Sequence, residues 1–344
     1  MTNRQIRLRR RPVGAPTADD FSIVDSPMPV ARDGEVLRRT IYLSLDPYMR
    51  GRMNEARSYA PSLALDDVIV GGTVSEVIES NHPSLHPGDL VVGMDGWQQY
   101  ASSAPTGLRP IDGSIAPIST ALGVLGMPGL TAYVGLLDIG RPVAGETVVV
   151  SAASGAVGSV VGQIARLKGC RAVGIAGSQT KCDYVVNELG FDAAVDYKRD
   201  GFAEALRGAC PSGIDVYFDN VAGTVLEAVL RQINRGARIP LCGLISQYNA
   251  TDPPRGPNLA PVLTNRAIIH GFLVFDHFDR FGAFLNECGA WVRSGDLRYR
   301  EDIVDGLDAA PQAFIGLLEG RNFGKLLVRV SEDPTVARTL SDQP

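Results

Sequence analysis

The 344-residue chain has no cysteine before residue 170, no C-x-x-C pair and only four histidines. Its five cysteines, at 170, 182, 210, 242 and 288, are scattered and odd in number. They suggest neither a structural zinc cluster nor a disulfide framework, and they fit reduced thiols in the cytoplasm. His82 and His86 lie in a proline-bounded turn running from Asn81 to Asp89. They read as solvated turn histidines rather than as part of the N/S ligand sets that zinc prefers, so no metal is expected. No run is apolar enough for a membrane helix, since the stretch from Val148 to Ala165 is broken by Ser151, Ser154, Ser159, Gln163 and glycines. A G-x-S-x-G elbow is also missing, which leaves hydrolase chemistry without a nucleophile signature. A net charge of −5 gives no general attraction to nucleic acid or anionic membrane. Arg4, Arg7, Arg9, Arg10 and Arg11 crowd the N-terminus, but no apolar signal segment follows them. They read as a solvated basic strand.

The length suits two domains. Up to about residue 120, short apolar segments such as Thr40-Ile41-Tyr42-Leu43 and Asp67-Val68-Ile69-Val70 are broken by Gly, Pro and Asp. That pattern predicts a β-rich, barrel-like domain. From Glu146 the rhythm becomes strand, helix, strand: strands at 146–151, 171–176, 193–196, 214–219, 237–241 and 267–275, helices at 156–168, 179–189, 200–208, 223–234 and 277–293. Such alternation predicts an α/β domain with a doubly wound parallel sheet. The tail returns to short irregular elements and a strand-like 325–330. It is expected to fold back onto the first domain, giving 1–122 with 295–344 as one domain and 123–294 as the other. Residues 252–257 read as a turn-rich loop.

The segment SAASGAVGSVVGQ, 151–163, follows the apolar run Thr147-Val148-Val149-Val150. Gly155 and Gly158 hold the second and third positions of a G-x-G-x-x-G turn, with Ala156 and Val157 between them. Their tasks are backbone approach to a pyrophosphate and close helix–strand packing. Ala153 stands where the first glycine belongs, which is tolerable if its φ stays negative. Gly162 lies one helical turn beyond Gly158. Strand before, helix after and a second strand next is the context this turn needs to bind a dinucleotide at the helix N-terminus. A glycine used only for close packing is the bland alternative. An NAD site carries an acid about 20 residues on, to hold the ribose 2′-OH. Here Ser178 and Lys181 occupy that region, with no acid until Asp183. The missing acid and the available cation favour NADP; otherwise Lys181 simply faces solvent.

With neither metal nor nucleophile, hydride transfer from a nicotinamide is the chemistry that remains, and the protein supplies orientation and an electrophilic group. Tyr248, just past the fifth strand of the second domain, is the first candidate, since strand carboxyl ends face the ligand crevice. Its O–H can donate to a carbonyl oxygen becoming an enolate. Tyr48, in Leu45-Asp46-Pro47-Tyr48-Met49-Arg50, is the second. Either can instead be an aromatic that merely packs.

Six ordered motifs then carry a resemblance: LDPYMRGRM (45–53), GMPGLTAYVGL (126–136), SAASGAVGSVVGQIARLKG (151–169), YFDNVAG (217–223), CGLISQYN (242–249) and RNFGKLLV (321–328). Together they resemble the zinc-independent medium-chain dehydrogenase/reductases, in the leukotriene B4 12-hydroxydehydrogenase, prostaglandin reductase and alkenal double-bond reductase group. The resemblance runs from about residue 4 to 330. It implies a GroES-like substrate domain, a Rossmann cofactor domain, NADPH as cofactor, an α,β-unsaturated aldehyde or ketone as substrate, and a homodimer. By position, Gly155 to Gly158 match the phosphate turn, Lys181 the 2′-phosphate lysine, and Tyr197 a tyrosine near that phosphate. Asn220 matches a cofactor contact. Cys242, Gly243, Leu244, Ile245, Ser246, Gln247 and Tyr248 match the loop along the nicotinamide ribose. Phe272, Leu273 and Val274 match the backbone facing the carboxamide, Asn322 a late cofactor asparagine, and Tyr48 a tyrosine of the substrate wall. Loops 54–66 and 94–100 match no member of the group. Quinone reduction and a non-catalytic NADP(H) sensor are the rival functions.

Overall fold

The computed structural model describes residues 2–252 and 254–336. Pro253 of the turn-rich loop and the last eight positions of the returning tail lie outside the described residues. The chain divides into two compact units, each with its own core.

The first unit runs to Leu122 and takes back Glu301–Asn322 and the chain from Leu326. Strand β1 (Thr2–Leu8) pairs antiparallel with β2 (Phe21–Pro27). A larger sheet contains β3 (Val36–Ser44), β4 (Thr73–Ser80), β5 (Leu90–Gly93), β6 (Tyr100–Ser103) and β7 (Arg109–Pro110). One short helix, α1 (Tyr48–Arg52), follows β3. β3 is the hub: β4 runs along one edge, and β6 takes Val36–Arg39 on the other. Alternation places Ile6, Leu8, Leu43 and Leu45 in one core with Trp97. Trp97 is fully buried and stacks on Phe21 at 5.7 Å.

Of the basic N-terminus only Arg4 and Arg7 lie on a strand, since β1 ends at Leu8, and four of its five arginines are engaged rather than merely solvated. Arg4 pairs with Asp308 at 2.7 Å and Asp25 at 3.1 Å. Arg7 donates to Gln5 and Ser26. Arg10 pairs with the buried Asp20 at 2.6 Å, and Arg11 donates to two backbone carbonyls. Asp308 lies 304 residues from Arg4 in sequence, beyond the reach of local reading.

The second unit spans Gly123–Arg300 and Phe323–Lys325. It opens with α2 (Met127–Val134), which continues as a π-turn over Gly135–Gly140. Then follow β8 (Thr147–Ser151), α3 (Gly158–Leu167), β9 (Arg171–Ala176), α4 (Gln179–Asn187), β10 (Ala193–Asp196) and α5 (Phe202–Ala209). β11 (Ile214–Phe218), α6 (Gly223–Leu230), β12 (Ile233–Leu241), α7 (Ala260–Asn265), β13 (Ile268–Gly271) and α8 (Phe281–Ser294) complete it. All six strands are parallel, in the order β10-β9-β8-β11-β12-β13. The order reverses between β8 and β11, so the ligand crevice of such a sheet lies at their carboxyl ends. The chain returns to the first unit with β14 (Glu301–Asp305), α9 (Ala310–Leu318) and β15 (Lys325–Arg329), the last pairing with β3 at Tyr42–Ser44.

Three boundaries depart from expectation. The return falls at Glu301 rather than 295, because Leu297 is buried and Arg298 N–H donates to Gln163 on α3 at 2.8 Å. The strand expected over 267–275 stops at Gly271, and Val274–Arg280 form a 3₁₀ segment. Phe275, Phe278, Phe281 and Phe284 repeat every third residue and touch in series, with centroids 5.5–6.3 Å apart. That period suits a three-residue turn leading into a helix, not a strand. The helix expected over 223–234 ends at Leu230, and Ile233 already pairs with Ile214 as the start of β12.

Candidate functional site

The turn after β8 explains its own alanines. The left-handed residue is Ala152, with φ 50°, and not Ala153. Ala153 N–H donates to Ile175 at 3.0 Å, and its side chain is fully buried beside Gly174. An alanine therefore fits where a first glycine was missed. The other glycines are sterically required to different degrees. A Cβ on Gly158 would stand 2.4 Å from the Ala152 carbonyl oxygen and 2.9 Å from the Ala153 Cα. A Cβ on Gly155 would meet only the Ala152 oxygen, at 3.1 Å. On Gly162 it would strike the Phe191 ring at 1.8 Å, so Gly162 serves packing. The result is a turn without side chains at Gly155 and Gly158, set at the N-terminus of α3, whose dipole favours an anion; the Ser159 and Val160 N–H groups are already engaged, by Gly155 O and Val157 O, both at 3.1 Å. Gly324 bridges Gly155 from the far end of the chain.

At the end of β9, Ser178 caps α4 by accepting from Lys181 N–H at 3.3 Å. Lys181 is half-buried on the first turn. Tyr197 and Lys198, just past β10, lie over Gly177, where a Cβ would meet Tyr197 Cε1 at 3.2 Å and Lys198 Cε at 3.4 Å. Lys198 Nζ stands 5.8 Å from the Tyr197 ring centroid. The structure thus gathers Ser178, Lys181 and Tyr197 around one turn and adds Lys198. That residue was overlooked because only its pairing across β9 and β10 brings it to Gly177.

Between β11 and α6, Asp219 is fully buried, and one carboxylate oxygen accepts from Tyr217 O–H, Val221 N–H and Ala222 N–H, each at 2.8 Å. Ser151 Oγ adds a fourth bond at 3.2 Å, while Asp219 Oδ2 has no partner. Burial pushes the Asp219 carboxyl up from its ordinary range against the pull of those donors. Asn220 is pinned by bonds from its N–H to Ser151 Oγ and from its Nδ2 to Ser151 O. Ala222 sits at φ 63°, ψ −150°, a region almost restricted to glycine. These bonds hold the corner at the switch point of the sheet.

The loop after β12 is tied to the same corner, since Cys242 and Gly243 N–H both donate to the Asp219 carbonyl, at 2.8 and 3.1 Å. Burial, then the Asp219 charge, pushes the Cys242 thiol up to about 12. Ser246 Oγ donates to Val221 O at 2.5 Å. Ile245–Gln247 form a 3₁₀ turn that folds Tyr248 back, so that its phenol oxygen accepts from Leu244 N–H at 3.4 Å. The absence of a side chain on Gly243 leaves room for that phenol, 3.4 Å from where a Cβ would be. Phe272 turns its ring inward against Phe218, centroids 6.1 Å apart. Leu273 and the buried Val274 follow it into the 3₁₀ segment.

Tyr48 and Asn322 belong to the first unit. Tyr48 opens α1 and packs against the core of Met49, Met53 and Leu63. Burial, then Asp46, raises its phenol well above the ordinary value, and the neighbouring Tyr59 adds to the shift. Among the described residues, no three His, Cys, Asp or Glu side chains gather as a metal would require, and no helix is long and apolar enough to cross a membrane.

A parallel sheet in this order, with a glycine turn and two lysines at its carboxyl edge, is the form of a dinucleotide-binding unit. Residues 4–111 match the family described as the N-terminal domain of oxidoreductase, and residues 156–288 the one described as zinc-binding dehydrogenase. The chain is 51% identical to the NADPH-dependent curcumin reductase of Escherichia coli (strain K12), over 96% of this chain and 98% of that one. It is 42% identical to the NADP(+)-dependent 2-alkenal reductase of Nicotiana tabacum, over 97% and 99%. The crystal structure of CurA in complex with NADPH from Vibrio vulnificus superposes with a TM-score of 0.92 at 52% identity, covering 96% of this chain and all of that one. The chain belongs to the medium-chain dehydrogenase/reductase family, in the group of the alkenal and prostaglandin reductases.

Proposed function

We propose that the protein reduces the carbon–carbon double bond of α,β-unsaturated aldehydes and ketones with NADPH. NADPH, when bound, supplies the hydride that reaches the β-carbon. The cradle of Gly155, Ala156, Val157 and Gly158 holds the pyrophosphate, and Ser178, Lys181, Tyr197 and Lys198 hold the 2′-phosphate. A carboxylate would repel that phosphate, and no acid follows β9 in sequence before Asp183. Asn220, the 242–248 loop, the backbone of 272–274 and Asn322 hold the rest of the cofactor. As the β-carbon is reduced, negative charge grows on the carbonyl oxygen, and the Tyr248 phenol donates a hydrogen bond to it. Tyr48 forms part of the substrate wall.

The observation that carries this reading is the placement of Tyr248. Its phenol is folded onto the loop that Asp219 anchors at the switch point, where a ligand of such a sheet binds. The experiment is an NADPH-oxidation assay across enals, enones and quinones, with NADH as control. Tyr248→Phe should lower kcat by about 10²–10³-fold while leaving NADPH affinity intact. Full kcat in that variant rejects the role of Tyr248. Turnover of quinones alone rejects the enone assignment, and NADPH binding without any turnover favours a sensor.

The same reading includes a homodimer formed along β13. That strand is the edge of the parallel sheet, with Ile268 half-exposed and Leu259 and Leu263 exposed beside it. Natural proteins seldom leave an apolar edge uncovered. Ile268→Lys should give a monomer by light scattering. Five free thiols, four of them buried, suit the reducing cytoplasm.

A further inference from the structure

After α2 the helical turn widens over Gly135–Gly140, where Arg141 N–H reaches back five residues to Leu136 O at 2.8 Å. Such wide turns recur at functional sites. This one presents the bare Cα of Gly135 to two aromatic rings. Phe218, the last residue of β11, and Phe272, the first after β13, meet edge to face there, centroids 6.1 Å apart. A Cβ on Gly135 would stand 2.5 Å from Phe218 Cε2 and 2.5 Å from Phe272 Cζ. With φ at −61° Gly135 needs no left-handed freedom; the two rings alone exclude a side chain. The wide turn is anchored to the sheet, since Arg238 on β12 donates to Gly140 O at 2.9 Å and to Arg141 O at 3.0 Å while pairing with Glu146. The segment after β13 rests on that turn at both ends. Phe272 sits over Gly135, and Arg280 donates twice to Asp138, at 2.8 and 3.1 Å. Phe272 N–H also donates to Leu241 O, at the end of β12, at 3.4 Å. A clash at Gly135 would be relieved on this segment: Phe218 is fully buried, whereas Phe272 is half-buried and follows the exposed Gly271.

We infer that Gly135 is a positioning residue for the nicotinamide: by admitting the Phe272 ring it sets the depth of the 272–274 backbone, against which the carboxamide lies. This rests on the reading above that 272–274 faces the carboxamide. The groups that hold the phosphates stand on the turns after β8, β9 and β10 and are untouched by it.

The test is Gly135→Ala. By calorimetry it should bind 2′,5′-ADP, which carries the 2′-phosphate but no nicotinamide, within about twofold of the parent. Its kcat for enone reduction should fall about 100-fold, as expected when a reacting group is displaced by about 1 Å, and the isotope effect with NADPH deuterated at the hydride position should rise. Fluorescence of the bound dihydronicotinamide, which needs no substrate, should shift toward that of free NADPH. Adding Phe272→Leu to Gly135→Ala should recover about tenfold of the lost kcat, because leucine has no Cζ and leaves the Phe218 ring room to turn. Phe272→Ala, which only removes atoms, should show the same split between 2′,5′-ADP affinity and kcat. Equal losses of 2′,5′-ADP affinity and kcat in Gly135→Ala, no recovery in the double variant, or parental kcat and fluorescence in Phe272→Ala would overturn the inference. Failure of the parent chain to turn over any enone would instead reject the functional reading, and the fluorescence measurement would still decide the role of Gly135.

Discussion

Gly158→Ala tests the cofactor cradle most directly. The added methyl would lie 2.4 Å from the Ala152 oxygen, 0.6 Å short of the 3.0 Å that real Cβ atoms respect, with Ala152 C and Ala153 Cα both at 2.9 Å. All three obstacles are backbone, so no rotamer relieves them, and α3 must shift by more than half an ångström. Overpacking of this kind costs about 1–3 kcal/mol, or about 4–8 °C in Tm for a 2 kcal/mol loss in a unit of this size. The shift also moves the N–H groups that face the pyrophosphate. Several charge-assisted bonds to the pyrophosphate would lengthen together, and loss of about 1.4 kcal/mol among them lowers NADPH affinity about tenfold. Gly155→Ala is the control. Its methyl meets a single atom at 3.1 Å, so Tm should move by less than about 2 °C. NADPH affinity should nonetheless fall as far, because the methyl stands where backbone must approach phosphate. Differential scanning fluorimetry and titration calorimetry read the two effects separately. A Gly158→Ala protein with parental Tm and affinity, or a Gly155 variant that is the less stable of the pair, would refute the steric reasoning.

Ala222→Gly should stabilise the protein by about 1 kcal/mol in urea unfolding, since relief of about 1–3 kcal/mol of strain exceeds the glycine entropy of about 0.5–1 kcal/mol. Lys181→Ala and Lys198→Ala should each narrow the NADPH-over-NADH preference about tenfold or more, as expected for loss of a charge-assisted bond; an unchanged ratio for Lys198→Ala would remove that residue from the phosphate pocket. Burial pushes Cys182 and Cys210 up to about 11, and Cys242 and Cys288 up to about 12, from an ordinary 9.0. Because the folded values are raised, their contribution is complete below pH 9 and drains away as pH rises toward 11 and 12. Tm should therefore decline above pH 9, and Ellman's reagent should find all five thiols readily at pH 8 only after denaturation; a flat Tm between pH 9 and 11 would contradict the burial argument.

The parallel sheet was legible because its strands are short apolar runs separated by helix-length segments; the limits of 171–176 and 193–196 match β9 and β10 residue for residue. The errors fall where local pattern yields to tertiary demand. An apolar run after β13 became a 3₁₀ turn because its phenylalanines stack at a spacing of three. The helix α2 went unread as an element: Gly126, Pro128, Gly129 and Gly135 look like breakers, yet Pro128 fits the first turn of a helix. A Cβ on Gly129 would collide with Val124 O, and one on Gly135 with the Phe218 and Phe272 rings. Within the site, the glycine turn and Lys181 showed themselves by spacing. Lys198, the Asp219 anchor and the seat of Phe272 on Gly135 did not, because each depends on a neighbour brought in by the fold.

The pairing of β15 with β3 has a consequence for synthesis. About 280 residues separate Ser44 from Lys325, and at 5–20 residues per second the ribosome needs roughly 15–60 s to make them. Throughout that interval one half of β3 has no neighbour on that edge, and every strand of the parallel sheet is made before β15. The parallel sheet can therefore form first, its unit lacking only Phe323–Lys325, and the first unit must wait, open along one edge, for its last strand. Chaperone dependence during translation should accordingly map to β3 and its neighbours, and a permuted chain that begins at Glu301 should be largely free of it.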